Sequence, residues 1–486
     1  MYRIPSVSSQ SVLFNRYASR IRSVSNTIQV DNPYTSKAYV EIEEADEPTM
    51  LKLVDYSAQV YRSWANSPMS ERIDLCRNFV KHFQAQGNRY AEQICKQTGK
   101  PLNQALGEIS TTITRANKLI ELAGVALADH KLNDENGVER RITREPIGPV
   151  LLLCPWNYPM LCAINGIIPA VLSGNSVLLK HSERSSLCAD AFEESFKLAG
   201  APKHLLQAFH GSHERVAHAI AHPAIGYVQF TGSVAGGQSV YKAVSNRFID
   251  VGLELGGKDA AYICADADVT AAAAGAIDGA FYNAGQSCCA VERIYVHKSV
   301  YDVFVQEALS LVKSYKLGDP MKSDTTIGPM AQPKAPSFLL HQIEQARAMG
   351  AKILCGGNPT TDPDGNGRFF EPTLAVECNH EMSLMVEESF GPVVGVAAVE
   401  SDEEAVKLIN DSPYGLTASV WTRDNDHADH LMPKLNVGTV FQNRCDYLDP
   451  ELPWSGRKAS GKGISLSHLA YNAFTKTKAY NLRRFQ

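Results

Sequence analysis

The chain has 486 residues, of which 44% are hydrophobic and 20% charged, and its formal net charge is −5 with a pI near 6.3. These proportions are typical of a globular protein of two or three domains and exclude a disordered or fibrous chain. No basic excess points to a nucleic-acid partner, and no apolar stretch reaches the roughly 18 residues of a membrane-spanning helix, so we expect a soluble protein.

The first 26 residues differ in composition from the rest of the chain. They contain many serines and no acidic residue, and their basic residues are Arg3, Arg16, Arg20 and Arg22. This composition predicts a transit peptide that directs the protein to the mitochondrial matrix. The alternative is an N-terminal arm that stays on the mature protein, which leaves a cytoplasmic location open.

Strand and helix signals alternate between residues 147 and 258. Apolar runs predict strands over 149–154, 176–180, 204–209, 227–230 and 251–255, with helices over 161–172, 185–199, 213–221 and 236–244. Continuously apolar strands separated by helices indicate a parallel sheet that is covered on both faces. Residues of about 46 to 125 have helical patterning and would pack against this sheet.

A second alternation begins after residue 258. It predicts a strand over 260–264, a helix over 269–281 capped by Asp266 or Asp268, and strands over 291–297, 393–399, 418–421 and 437–442. Two such sets predict an α/β protein with two open parallel-sheet lobes and a cleft between them. The charged segment 131–144 and the stretch 472–482 predict exposed strands that could pair with another subunit, as in a homodimer or homotetramer.

The cysteines indicate reduced thiols rather than a disulfide framework or a metal site. There are 11 of them, an odd number, and no C-x-x-C pair occurs. Cys288 follows a glycine-containing loop between the predicted helix 269–281 and strand 291–297, a connection of the kind in which active-site residues occur. A cysteine can be a small buried hydrophobe, but a nucleophile needs access and a lowered pKa. We expect the neighbouring Cys289 to be a packing residue.

Seven ordered motifs together resemble the aldehyde dehydrogenase superfamily over about residues 27 to 486. They are PWNYP (155–159), LKHSE (179–183), FTGS (230–233), LELGGK (253–258), FYNAGQSC (281–288), EESFGP (387–392) and PWSGRKASG (453–461). The resemblance implies a Rossmann-like NAD-binding domain (27–125 and 147–258), a catalytic domain (259–465) and a small β element for oligomerisation (126–146 and 466–486).

The resemblance also implies an enzyme that oxidises an aldehyde to a carboxylic acid through a thiohemiacetal and a thioester on Cys288. Negative charge that develops on the carbonyl oxygen needs preorganised donors, for which the Asn157 amide and the Cys288 backbone N–H are the candidates. Hydrolysis of the thioester needs a base, for which a buried Glu254 is suited. The alternatives are that Asn157 is a turn residue and that Glu254 forms a salt bridge with Lys258.

The cofactor implied by the resemblance is NAD, and no metal is expected. Gly232 and Ser233 open a predicted helix, whose N-terminus attracts pyrophosphate. The other cofactor-binding candidates are implied by the family motifs: Lys180 and Glu183 for the adenine-side ribose, and Trp156, Glu388 and Phe390 for the nicotinamide side.

The choice between NAD and NADP depends on Glu183. A carboxylate beside the ribose accepts a hydrogen bond from the 2′-hydroxyl but repels a 2′-phosphate, which favours NAD. His181 stands where the family usually has proline, so the backbone there lacks the φ restraint of proline and the preference is less firmly implied.

The substrate is not determined by these motifs. Arg444 could bind the distal carboxylate of a semialdehyde such as succinic semialdehyde, or it could be a surface arginine. A cysteine acyltransferase or thioesterase that never reduces a cofactor is the rival class, and a non-catalytic nucleotide-binding protein is a third.

Overall fold

The computed structural model describes residues 27–134 and 137–483, so the predicted transit peptide, residues 1–26, lies outside the described chain. The first described part is mainly helical. Its elements are β1 (Thr27–Asp31), β2 (Ala38–Glu43), α1 (Glu47–Trp64), α2 (Met69–Ala85), α3 (Gly87–Thr98), α4 (Leu102–Ala126), β3 (His130–Lys131) and β4 (Val138–Pro146). The helices predicted between about 46 and 125 are therefore confirmed.

The first large sheet follows, with strands and helices in alternation. Its elements are β5 (Val150–Cys154), α5 (Pro159–Leu172), β6 (Val177–His181), a 3₁₀ turn (Glu183–Ser185), α6 (Leu187–Leu198), β7 (Leu206–Ala208), α7 (His213–Ala221), β8 (Tyr227–Thr231), α8 (Val234–Val244) and β9 (Asp250–Glu254). The five strands lie parallel in the order β9-β8-β5-β6-β7.

The continuous apolar pattern of β5 has the predicted physical cause. Val150 and Leu152 point into a core formed with α2 to α6, whereas Leu151 and Leu153 point into a second core formed with α1, α7 and α8. Because successive side chains of a strand alternate between faces, an all-apolar strand requires both faces to be covered.

The second large sheet spans most of the remaining chain. Its region contains β10 (Asp259–Ile263), α9 (Val269–Phe281), a 3₁₀ turn (Tyr282–Gly285), β11 (Val291–His297), α10 (Tyr301–Ser314), α11 (Ala335–Ala348), β12 (Lys352–Cys355), β13 (Pro359–Thr360), β14 (Phe369–Phe370), β15 (Thr373–Val376), α12 (Ser383–Val386), β16 (Val393–Val399), α13 (Asp402–Asn410), β17 (Tyr414–Gly415), β18 (Thr417–Trp421), α14 (Asn425–Leu431), a 3₁₀ turn (Met432–Lys434) and β19 (Thr439–Gln442). The order is β12-β15-β16-β11-β10-β18-β19, parallel except for β12. The prediction of two parallel-sheet lobes is confirmed.

The C-terminal part returns to the first sheet and to the small β element. It contains β20 (Arg457–Lys458), β21 (Gly461–Lys462), a 3₁₀ helix (His468–Phe474) and β22 (Thr475–Arg483). Strand β21 adds antiparallel to β9, with Gly461 opposite Glu254. Strand β22 pairs with β4 over nine residues, so these two predicted oligomerisation strands pair with each other within the chain.

Several predicted boundaries were wrong for local reasons. The strand predicted over 204–209 is only Leu206–Ala208, because His204 has a left-handed backbone with φ 71°. The helix predicted from 185 starts at Leu187 after a 3₁₀ turn, and the strand predicted from 472 starts at Thr475 after a 3₁₀ helix. The cap of α9 is Asp268; Asp266 instead accepts hydrogen bonds from Thr422.

The candidate site lies where an edge of the first large sheet faces an edge of the second. Glu254 ends β9 at the carboxyl edge of the first sheet, where ligands of open α/β sheets usually bind. Cys288 precedes β11 and therefore lies at the amino edge of the second sheet, because a helix-to-strand connection ends there. No helix in the described part of the chain combines the length and apolar character needed to cross a membrane.

Candidate active site

One cleft of about 770 Å³ lies between the two sheets, and all ten residues predicted for catalysis or cofactor binding line it. They come from six separate segments of the chain, between Trp156 and Phe390. The structure thus brings the predicted residues together, while their individual roles stay predictions until they are tested in solution.

The loop before Cys288 is held in an unusual backbone conformation. Asn283, Ala284 and Gly285 are consecutive left-handed residues, with φ of 54°, 55° and 67°. A Cβ on Gly285 would lie 2.1 Å from the carbonyl oxygen of Gly391, so this position requires glycine. The Asn283 side chain donates to the Gln286 carbonyl at 3.0 Å and to the Asn157 carbonyl at 3.5 Å. These contacts fix the thiol loop beside the segment that carries Asn157.

The two adjacent cysteines have different surroundings. Cys288 is half-buried and lines the cleft, whereas Cys289 is buried with Leu416 and Trp454. The Cys289 thiol donates to Asp446 at 2.8 Å. The neighbouring Cys288 thiol, burial and the Asp446 carboxylate hold the pKa of Cys289 well above its usual range. The placement of Cys289 as a packing residue agrees with the prediction.

Two hydrogen-bond donors beside Cys288 are not used by the described protein. Asn157 is buried, with 5% of its surface exposed, and its side-chain amide makes no hydrogen bond to any described residue. The backbone N–H of Cys288 likewise has no acceptor in the described chain. Both residues line the cleft, so these free donors are suited to an oxyanion that forms there during a reaction.

Glu254 is held by hydroxyl groups rather than by a cation. Thr231 donates to one carboxylate oxygen at 2.8 Å, and Ser465 donates to the other. Burial raises the pKa of Glu254 despite these two hydrogen bonds. The alternative of a salt bridge to Lys258 is wrong, because Lys258 pairs with Glu292 at 2.6 Å. A carboxylate in this state suits a base that works near neutral pH.

Two glycines after Glu254 lie in close contact with other segments, and at Gly257 the contact is with backbone. A Cβ on Gly256 would lie 2.3 Å from the Glu388 carboxylate, and one on Gly257 would lie 2.6 Å from the Cys288 carbonyl. The Gly257 amide donates to Glu388 at 3.0 Å. Burial and the nearby Glu292 raise the pKa of Glu388 to about 7. The predicted cofactor residue and the thiol loop therefore both pack on this glycine pair.

Lys180 and Glu183 lie at the other end of the cleft. The Lys180 ammonium is buried and donates only to the His181 carbonyl at 3.1 Å, and burial lowers its pKa. Glu183 is exposed. His181 is the last residue of β6. Its ring forms a hydrogen bond with the Pro159 carbonyl at 2.9 Å and stacks on Phe192, so these contacts restrain the position where the family usually has proline.

The start of α8 forms the middle of the cleft. Ser233 is the N-cap and accepts from the Gly236 amide at 3.2 Å, while the amides of Val234 and Ala235 have no acceptor in the described chain. The helix begins two residues before the predicted start at 236. Gly232 precedes the cap, where a Cβ would lie 2.6 Å from the Phe230 ring. This end of α8 presents free N–H groups to the cleft.

Trp156 and Phe390 face each other across the cleft, with ring centroids 5.5 Å apart in an edge-to-face arrangement. Phe390 has a left-handed backbone, φ 53°, and its amide donates to Glu292 at 2.8 Å. The Lys258–Glu292 pair thus fixes the segment that carries Phe390.

Other residues were misplaced or missed by sequence reasoning. Arg444 is exposed, its guanidinium lies 3.7 Å from the centre of the Tyr447 ring, and it does not line the cleft, which supports the surface alternative. Ser465 was missed and gives no local signal. Arg115 was missed although an arginine on the buried face of α4 is itself a signal.

Comparison with known proteins identifies the class. A sequence model described as the aldehyde dehydrogenase family matches residues 21–480, and the chain therefore belongs to this family of oxidoreductases. It is 30% identical to the succinate semialdehyde dehydrogenase [NAD(P)+] Sad of Escherichia coli (strain K12), over 91% of this chain and 95% of that one. It is 33% identical to retinaldehyde dehydrogenase 3 of Homo sapiens, over 93% and 89%.

A solved structure has the same fold. The betaine aldehyde dehydrogenase (betB) of Staphylococcus aureus in complex with NAD+ superposes with a TM-score of 0.91 at 30% identity, covering 95% of this chain and 93% of that one.

Proposed function

We propose that the protein oxidises an aldehyde to the free carboxylic acid with NAD, using Cys288 as nucleophile and Glu254 as the base that activates water. The observation that carries this proposal is the convergence, in one cleft, of a half-buried thiol, two unused hydrogen-bond donors and a half-buried carboxylate that no cation contacts. Each of these groups is suited to one step of the reaction.

The first step is addition of the Cys288 thiolate to the aldehyde carbon, which forms a C–S bond and places negative charge on the former carbonyl oxygen. The Asn157 amide and the Cys288 backbone N–H are free to donate to this oxygen. The resulting tetrahedral adduct is the species from which hydride can depart.

The cleft fits a dinucleotide on the side of the first sheet. The free amides at the start of α8 suit a pyrophosphate, and Lys180 and Glu183 suit a ribose, while Trp156, Glu388 and Phe390 line the end nearest the thiol. A bound nicotinamide supplies the hydride acceptor. The exposed Glu183 carboxylate would repel a 2′-phosphate, which supports NAD over NADP.

Loss of hydride leaves a thioester on Cys288, and water must then attack it. Glu254 accepts the proton of that water, and the C–S bond breaks to release the acid and the thiolate. An enzyme that only transferred the acyl group to a thiol would not need this base.

The experiment that tests the proposal is Glu254→Gln. With NAD and an aldehyde, this variant should give one equivalent of NADH per site in a burst and then stall, because the thioester forms but is not hydrolysed. An undiminished steady-state rate would show that another group activates water. If the wild type produces no NADH from any aldehyde, the acyltransferase or thioesterase class replaces this proposal.

A semialdehyde is the second candidate for the substrate. It is supported by the similarity to the Escherichia coli relative, a succinate semialdehyde dehydrogenase. Comparison of kcat/KM for succinic semialdehyde with that for butanal and for an aromatic aldehyde tests it.

We further propose that the protein is a homodimer or homotetramer assembled through β22. This strand lies at the edge of the three-stranded sheet β22-β4-β3 and is mostly exposed, which leaves its outer side available to a second copy. Light scattering on the purified chain tests this, and a mass of one chain would contradict it.

We also propose that residues 1–26 are a transit peptide that is removed in mitochondria. N-terminal sequencing of the protein recovered from mitochondria tests this proposal.

A further inference from the structure

Three arginines are buried in the described chain: Arg72, Arg115 and Arg293. They differ in how many of their guanidinium nitrogens donate hydrogen bonds. None has a described carboxylate within salt-bridge distance. In Arg72, all three nitrogens donate, to Ser67, Leu172 and Ala65. In Arg293, all three also donate, mainly to backbone carbonyls. These two are structural arginines whose hydrogen bonds replace those to water.

Arg115 is different. It is 4% exposed, yet only its Nη1 donates, to the Asn165 side chain at 3.1 Å and to the Leu161 carbonyl at 3.4 Å. Its Nε is buried without a partner, and Nη2 makes no hydrogen bond to a described residue. Burial lowers the pKa of Arg115. A buried cation with three of its five N–H donors unused is costly, unless an anion completes it.

Arg115 lies beside the segment that carries Asn157, which the thiol loop contacts through Asn283. The Arg115 Nη1 donates to Leu161 and Asn165 in the first two turns of α5, the helix that directly follows the segment carrying Asn157. Cys162 and Leu161 are the half-exposed residues of α5, whose other residues are buried. Nη2 of Arg115 has no described partner and is not fully buried, so the free side of the guanidinium group stays accessible here.

We propose that Arg115 binds the distal carboxylate of the aldehyde substrate, so that the substrate class is an aldehyde with a carboxylate at its other end. The free Nε–H and Nη2–H groups form one side of the guanidinium fork, which matches the two oxygens of a carboxylate. This inference rests on the proposed aldehyde oxidation. It assigns to Arg115 the role that the sequence suggested for Arg444.

Arg115 could instead act only through Glu254, because its charge lowers the pKa of that carboxyl. The two roles differ in one measurable respect. An arginine that only tunes Glu254 affects all aldehydes equally, whereas an arginine that binds the substrate affects those with a carboxylate.

The experiment compares succinic and glutaric semialdehyde with butanal and pentanal, which have the same numbers of carbons. Wild type should prefer the semialdehydes. In Arg115→Met, kcat/KM for the semialdehydes should fall about 10- to 150-fold, mainly through KM, with little change for the alkanals, because a hydrogen bond to a charged group contributes about that factor. Arg115→Lys should lie between, since an ammonium keeps the charge but loses the fork.

The control is Arg444→Met, which should change neither substrate class. A thermal melt of the free enzyme adds a second measurement: Arg115→Met should melt no lower than wild type, because it removes an incompletely paired buried charge, whereas Arg72→Met should melt lower.

Three results would overturn the inference: no preference of wild type for semialdehydes over alkanals, equal losses for both classes in Arg115→Met, or a selective loss in Arg444→Met. If Arg115→Met does not fold, Arg115→Lys and the wild-type preference still decide the question. Failure to oxidise any aldehyde would instead refute the proposed function.

Discussion

The carboxylates of Glu292, which is buried, and Glu254, which is half-buried and lines the cleft, have opposite surroundings. Glu292 accepts from the Lys258 ammonium at 2.6 Å and from the amides of Ser389 and Phe390, both at 2.8 Å. Glu254, four residues before Lys258, has only two hydroxyl partners. Glu292 is paired with a cation and holds two segments together. Glu254 has no cation in direct contact, and its pKa is raised. In this protein the carboxylate with a structural role is thus ion-paired, and the carboxylate proposed to react is not.

The same contrast applies to the adjacent thiols. Cys289 has a partner in Asp446 and is buried, while Cys288 is half-buried and faces the cleft. We expect the groups that lack a charged partner to carry the activity and the ion-paired groups to carry the stability.

The largest effect should come from Cys288→Ala. Removal of the attacking sulfur should lower turnover by at least about 10⁴-fold, since a covalent route has no substitute nucleophile. Binding of NAD, measured by calorimetry, should persist because the nucleotide side is untouched. The matched variant Cys289→Ala should keep most of its activity, and the reverse pattern would transfer the role to Cys289.

The next effect should come from Lys258→Met, and it concerns stability. This change leaves Glu292 buried without its cation, which should cost about 3–5 kcal/mol of unfolding free energy. Urea denaturation measures it. The double variant Lys258→Met with Glu292→Leu should recover much of the loss, and a single variant as stable as wild type would break the comparison.

Asn157→Ala should lower kcat by about 10²–10³-fold, because one of the two donors to the oxyanion is lost. A matched Asn358→Ala variant, whose exposed side chain donates to Glu371 and does not line the cleft, should leave kcat unchanged. If Asn157→Ala acted on KM alone, the amide would serve substrate binding instead.

The smallest effect is the pH dependence of stability in Glu254→Gln. Burial raises the pKa of Glu254 in the folded state above its unfolded value, so the folded protein favours the protonated form. The stability this contributes is present below the unfolded pKa and is lost as the pH rises through the folded pKa, by about 1.4 kcal/mol for each unit of the shift.

The melting temperature of Glu254→Gln relative to wild type should therefore rise with pH over that range. The steady-state rate of wild type should rise over the same range as the base loses its proton. A constant difference in melting temperature would show that Glu254 is not perturbed by burial.

Sequence patterns predicted much of this molecule for identifiable reasons. The helices at 213–221 and 269–281 and the strands at 291–297 and 393–399 were predicted to the residue, because their apolar period is regular and their ends carry breakers or caps. Boundaries failed where a single left-handed residue such as His204 or a 3₁₀ turn interrupts the pattern.

The sequence by itself determined the family, the two-sheet architecture and the residues that gather in the cleft, because these are encoded in local motifs and in the apolar period of strands and helices. Tertiary structure alone decided which charges are paired. From the sequence, Lys258 could pair with Glu254 or with Glu292, and the hydrogen-bond partners of Arg115 could be complete or incomplete. Only the packing of distant segments decides between these possibilities. Burial and hydrogen bonding act through space, so reactivity at Cys288 and Glu254 depends on partners that the chain brings from far along its length.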